Sequence, residues 1–258
     1  MNRAATLEQL TRLCGLNRDG VAPAAIEPSG LEQLDAVLPG GGWQSGTIVE
    51  LMPAAMGIGE LRLLMPALVS ITRSERYVAL ISPPCIPFAP ALSRHGVNLE
   101  RLIIVRAHKP EDILWSFEQT LRCKSFGAVA AWPITVKDRE VRRLQLAAEA
   151  GRSVGFMYRS PSAALESSPA AVRLRLATDE QGLRIDIIKC RGARGGMSVR
   201  AARDGWQLAS QAPGSTDYSA SVNPSVTSLA PDYSPEKSID ASSDAAVASS
   251  DYPLSAIG

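Results

Sequence analysis

Gly57, Gly59, Glu60 and Leu61 stand where a chain of this pattern would hold phosphate. The apolar run Thr47-Ile48-Val49-Glu50-Leu51 leads into Met52-Pro53-Ala54-Ala55-Met56-Gly57-Ile58-Gly59-Glu60-Leu61, and a leucine-rich segment follows. Strand, glycine-bearing loop and helix is the layout in which backbone N–H groups cradle a nucleotide. A Lys then neutralises the β/γ-phosphates, and a Ser or Thr holds magnesium. Glu60 and Leu61 take those two places. A carboxylate at the Lys position repels phosphate instead of neutralising it. The layout of an ATPase is present without its chemistry.

Two further positions agree. An active enzyme of this layout ends a later strand in an acid that holds magnesium through water. The matching run Ala128-Val129-Ala130-Ala131 ends in Trp132-Pro133. A catalytic Glu would follow the 77–82 run, where the chain reads Ser82-Pro83-Pro84-Cys85. One vacant position could be compensated; three argue against hydrolysis. His108 follows a strand run but has no Ser or Cys nucleophile motif beside it, so it reads as a structural loop residue.

The densest basic cluster is Lys189, Arg191, Arg194, Arg200 and Arg203, interleaved with Gly192, Gly195 and Gly196. Such a segment can wrap phosphates, with backbone N–H groups adding to the charge. Cations held together on a glycine-rich turn repel one another. The expectation is therefore an anionic ligand, either DNA phosphates or an acidic patch on a protein. A solvated loop is the plain alternative, and no aromatic stacking platform accompanies the cluster.

The elements that must position these residues alternate. Strand runs fall at 47–51, 77–82, 102–106, 127–132 and 153–158, and amphipathic helices at 60–74, 110–123 and 138–150, the last capped by Asp138. Short continuous apolar strands between helices predict a parallel α/β sheet covered on both faces. After residue 165 the period becomes two. Val172, Leu174 and Leu176 alternate with arginines, as do Leu183, Ile185 and Ile187 with polar residues, which predicts a β-hairpin turning at Gln181-Gly182. Leu7, Leu10, Leu13 and Leu16 have helical spacing. This gives an N-terminal helix and linker over 1–29, a core with its hairpin over 30–208, and a disordered Ser/Ala/Pro-rich tail over 209–258.

Residues 211–258 hold six acids and one base; removing them from the 26 acids and 27 bases of the chain leaves 26 bases against 20 acids in the body. That excess permits contact with nucleic acid but does not require it. The four cysteines are scattered without a CxxC pair, so neither a zinc site nor a disulfide framework is expected. No cofactor is implied. No long apolar run occurs, and a soluble, cytoplasmic protein is the expectation.

The order of these elements resembles the RecA-like P-loop NTPase core. Within that superfamily the chain most resembles the ImuA family. The residues that carry this are Leu38-Pro39-Gly40-Gly41-Gly42, Val105-Arg106-Ala107-His108-Lys109-Pro110 with Trp115 and Glu118-Gln119, and Arg191-Gly192-Ala193-Arg194-Gly195-Gly196. The resemblance covers about residues 30–200. It implies a non-catalytic accessory factor of damage-induced (SOS) translesion DNA synthesis. Such a factor works with an ImuB-type polymerase homologue and an error-prone DnaE-type polymerase. RecA is a further partner to consider, since RecA-like cores assemble through shared edges, as is DNA. The alternatives are a SulA-like cell-division inhibitor and a RecA-like ATPase that still binds nucleotide. SulA-type chains are shorter and lack the first strand and its loop, which favours the adaptor.

Overall fold

The computed structural model describes residues 25–192 and 195–202. All lie in the first of two units into which the chain divides, Met1–Ala212. The expected N-terminal helix over 4–18, the tail over 209–258, Arg194 and Arg203 fall outside the described residues.

Two short strands, β1 (Ile26–Glu27) and β2 (Trp43–Gln44), pair antiparallel around a one-turn helix α1 (Glu32–Asp35). Part of the expected linker is therefore structured. The main sheet follows with β3 (Ile48–Pro53), β4 (Tyr77–Ile81), β5 (Leu102–Val105), β6 (Phe126–Ala131), β7 (Val154–Tyr158), β8 (Val172–Asp179), β9 (Gly182–Cys190) and β10 (Met197–Ala202). Its order is β10-β9-β8-β3-β7-β6-β4-β5. The six strands from β8 to β5 run parallel, and β9 is antiparallel to both its neighbours. The mixed α/β class and the mostly parallel sheet flanked by helices match the expectation.

Helices α2 (Met65–Arg73), α3 (Ala89–Arg94), α4 (Pro110–Arg122) and α5 (Asp138–Gly151) cover the two faces. On one face Leu64, Leu68 and Ile71 pack with Val49, Leu51, Val78, Leu80 and Phe156. On the other, Ile113, Phe117, Leu121, Val141 and Leu144 pack with Ile48, Ala79, Ile81, Val129 and Met157. Alternate residues of each strand thus feed opposite cores, which is why β4, β5, β6 and β7 carry no charged residue.

Some expectations need correction. The N-cap of α5 is Lys137, not Asp138, and its N–H is accepted by the Glu140 carboxylate at 2.8 Å. The β8–β9 turn sits at Glu180–Gln181, because Gly182 already pairs with Asp179. The hairpin is the first two strands of a three-stranded extension. The glycines at 192–196 serve its second turn, with the Gly196 N–H bonded to the Ile187 carbonyl at 2.8 Å.

Candidate functional site

The loop after β3 is closed on itself. Its backbone turns through positive φ at Gly57 (83°) and Gly59 (99°), a region that favours glycine. Successive N–H groups ahead of a helix make a site for an anion. Here the anion belongs to the chain. The Gly57 N–H donates to the Glu60 carboxylate at 2.9 Å. Glu60 is 8% exposed, and its second carboxylate oxygen is buried without a hydrogen-bond partner. From β7, the Tyr158 hydroxyl donates to the Glu60 carbonyl at 3.1 Å. Burial first, and then the nearby Glu60 charge, push the Tyr158 phenol well above its usual range, so it stays a neutral donor.

The neighbouring positions are apolar and filled. Ile58 and Leu61 pack against the core of the α2 face, as does Trp132. The Trp132 ring stacks on Tyr158 with centroids 4.4 Å apart and planes 3° from parallel. Gly57, Gly59, Glu60, Leu61 and Trp132 therefore meet in one place through the adjacency of β3, β7 and β6. At the end of β4, Ser82 holds φ 50°. Its hydroxyl donates to the Ala107 carbonyl at 2.8 Å and accepts the Ala107 N–H at 3.0 Å, tying the loops after β4 and β5 together. The three positions singled out in the sequence carry packing and hydrogen bonds.

The basic residues are not brought together. The Lys189 ammonium donates to the Ser168 carbonyl at 2.8 Å. Arg191 lines a cleft of about 450 Å³ with Trp43, Thr47, Gln145, Glu149 and Arg152, at the amino edge of the parallel strands. Arg200 lies toward the opposite edge, opposite Arg184, with its guanidinium on Asp179 at 3.2 Å. Seven residues of β9 and its turn separate the two ends, about 20 Å of strand. Proximity in sequence hid an antiparallel strand that carries one end of the cluster away from the other.

The sequence reading also missed a buried ionic cluster. Glu50, fully buried mid-β3, accepts from Arg173 Nε at 2.6 Å, from the Ser168 hydroxyl at 2.6 Å and from Arg159 at 3.3 Å. Arg173 also donates to the carbonyls of Glu166 at 2.8 Å and Ala163 at 2.6 Å. These bonds pin the 161–168 segment across β3 and β8. The signal was visible: Glu50 breaks an apolar strand that is buried on both faces, and such an acid requires a partner.

Among the described residues no group of three His, Cys, Asp or Glu could hold a metal ion. No described helix is long and apolar enough to cross a membrane.

No family model matches the chain. It is 31% identical over 116 residues to the cell division inhibitor SulA of Edwardsiella piscicida, covering 44% of this chain and 68% of that one. It is 28% identical over 102 residues to the cell division inhibitor SulA of Pectobacterium atrosepticum, covering 39% and 61%. The crystal structure of SulA from Pseudomonas aeruginosa aligns with TM-score 0.37 and 24% identity, over 43% of this chain and 97% of that one. By the first of these matches, the chain belongs to the SulA family.

Proposed function

We propose that this chain is a non-catalytic protein of the bacterial DNA-damage (SOS) response. It acts as an adaptor in translesion synthesis beside an ImuB-type polymerase homologue and an error-prone DnaE-type polymerase. RecA and DNA are further contacts of this reading. The core descends from a RecA-like nucleotide-binding sheet that has exchanged its nucleotide for internal contacts. The observation that carries the non-catalytic part is the Glu60 carboxylate on the Gly57 N–H. It fills with the chain's own charge the place where a phosphate would be held. The adaptor part rests on the ImuA-like motifs around Val105–Pro110 and Arg191–Gly196.

A second reading has its own observation. The matched relatives bear the name cell division inhibitor, and a SulA-like block on a division GTPase fits the same non-enzymatic fold. Affinity purification of the full chain from DNA-damaged cells separates the two. Recovery of polymerase subunits supports the adaptor, and recovery of the division GTPase supports the inhibitor. Robust ATP turnover by the purified chain would refute both.

A further inference from the structure

The carboxyl edge of the parallel sheet presents a row of large apolar side chains. The loop after β3 exposes Met56 (50%), the one after β4 exposes Ile86 (67%) and Phe88 (66%), and the one after β6 exposes Ile134 (70%). Single exposed apolar residues are ordinary; several on adjacent loops of one edge mark an interaction site. The strand order β3-β7-β6-β4-β5 sets these loops side by side. From β3 to β4, three intervals of about 4.8 Å make a line of about 14 Å, the length of some four extended residues. The row is also held in place. The Ser82–Ala107 bonds anchor the loop that leads to Ile86.

Charge borders the row at β5 and β6. Arg106 and Lys109 follow β5, and Lys137 follows β6 beside Ile134; all three are exposed. None of them makes an ion pair among the described residues. The acids within the same loops are engaged, Glu60 with the Gly57 N–H and Glu166 with Arg159 at 2.9 Å. Exposed Glu111 and Asp138 open the helices that follow Lys109 and Lys137 and offset part of this charge, so the three cations leave the edge net positive.

We infer that this edge is a docking surface for an acidic, apolar-bearing peptide segment of a partner protein. Leucine-like or aromatic side chains of the segment seat on Met56, Ile134, Ile86 and Phe88, and its carboxylates meet Arg106, Lys109 and Lys137. The inference rests on the non-catalytic reading, since the same edge would otherwise receive nucleotide. Apolar anchors supply most of the affinity in such contacts, and the flanking charges supply orientation and rate.

The test pans a phage-displayed library of random dodecapeptides against the full chain, then measures synthetic copies of the enriched peptides by fluorescence anisotropy. Enriched peptides should combine Asp or Glu with Leu, Ile, Phe or Trp. Their affinity should fall at least about tenfold in I86S/F88S/I134S and several-fold, with loss of salt dependence, in R106E/K109E. All substituted side chains are exposed, and circular dichroism checks the fold. As a measurement free of substitution, amide shifts of the wild-type chain on adding peptide should centre on 54–59, 84–88, 106–109 and 132–137. No enrichment, basic peptides, or unchanged affinity in the triple variant overturns the proposal. So does self-association of the wild type that the triple variant abolishes, which would make a second copy the occupant. ATP turnover assayed on the same sample tells which idea has failed. Turnover sinks the non-catalytic reading, whereas no turnover with no peptide binding sinks the docking surface alone.

Discussion

Glu60→Lys supplies the residue that a phosphate-binding loop requires, and it should damage this protein. Glu60 is 8% exposed and its carboxylate receives the Gly57 N–H at 2.9 Å. A lysine there loses that acceptor and puts an ammonium among N–H donors, at the start of the turn that leads into α2. Removing one partner of a buried charged contact costs about 3–5 kcal/mol. The lysine stem can carry part of its charge toward water, so the lower figure of about 3 kcal/mol applies. For a domain of this size that is about 6–12 °C in Tm. Glu60→Gln keeps an acceptor for Gly57 and removes a charge whose second oxygen is unpartnered. It should unfold within about 1 kcal/mol of wild type, and Glu60→Ala about 1 kcal/mol below Gln for the lost hydrogen bond. Thermal unfolding by circular dichroism, with and without Mg·ATP, measures all three. A Glu60→Lys protein as stable as wild type, or one stabilised by ATP, would show that the loop is an open phosphate site and refute the reasoning.

Arg173→Met strands Glu50 with only Arg159 and Ser168, and should cost about 3–5 kcal/mol by denaturant unfolding. Glu50→Met with Arg173→Met should recover most of that loss, and a double variant less stable than the single one would contradict the account. Burial pushes the Glu118 carboxyl up, and the guanidiniums of Arg122 and Arg143 outweigh it, holding the group below its ordinary value of 4.5. A depressed pKa gives stability that is present above 4.5 and lost as pH falls through the folded-state value. Glu118→Gln should therefore be less stable than wild type at neutral pH, and the gap should close in acid unfolding. A gap that stays constant with pH would show that Glu118 acts by packing alone. Arg191→Ala should change stability by less than about 0.5 kcal/mol, as an exposed change outside the core. Lys189→Met should cost more, because the Ser168 carbonyl loses its donor; equal values would deny that the cluster is split.

The parallel core was legible because its strands are short, apolar and separated by amphipathic helices. Five strands and three helices lie within a few residues of their sequence positions. The strand-loop-helix at 47–61 was legible too, since two glycines before an amphipathic run leave few alternatives. What Glu60 does in that loop was not. The sequence showed a charge of the wrong sign, and only the folded loop shows that charge spent on the Gly57 N–H. The basic cluster misled because linear density ignores strand direction: β9 separates Arg191 from Arg200, and each meets a different environment. Strand β10 was passed over because Met197–Ala202 pairs through a glycine-rich turn and carries arginine between its apolar residues. The apolar row at the carboxyl edge was invisible for a related reason. Met56, Phe88 and Ile134 lie far apart in sequence and come to one edge only through the strand order.

The central claim is that this edge of the sheet holds no nucleotide. Calorimetric titration of Mg·ATP into the full chain, with hydrolysis followed in the same buffer with and without single-stranded DNA, tests it most directly. A carboxylate about 4 Å from a phosphate costs about 1–4 kcal/mol. The account therefore predicts no saturable heat up to about millimolar nucleotide and no turnover in either condition. Saturable binding, or DNA-stimulated hydrolysis that a Glu60 substitution abolishes, would contradict it.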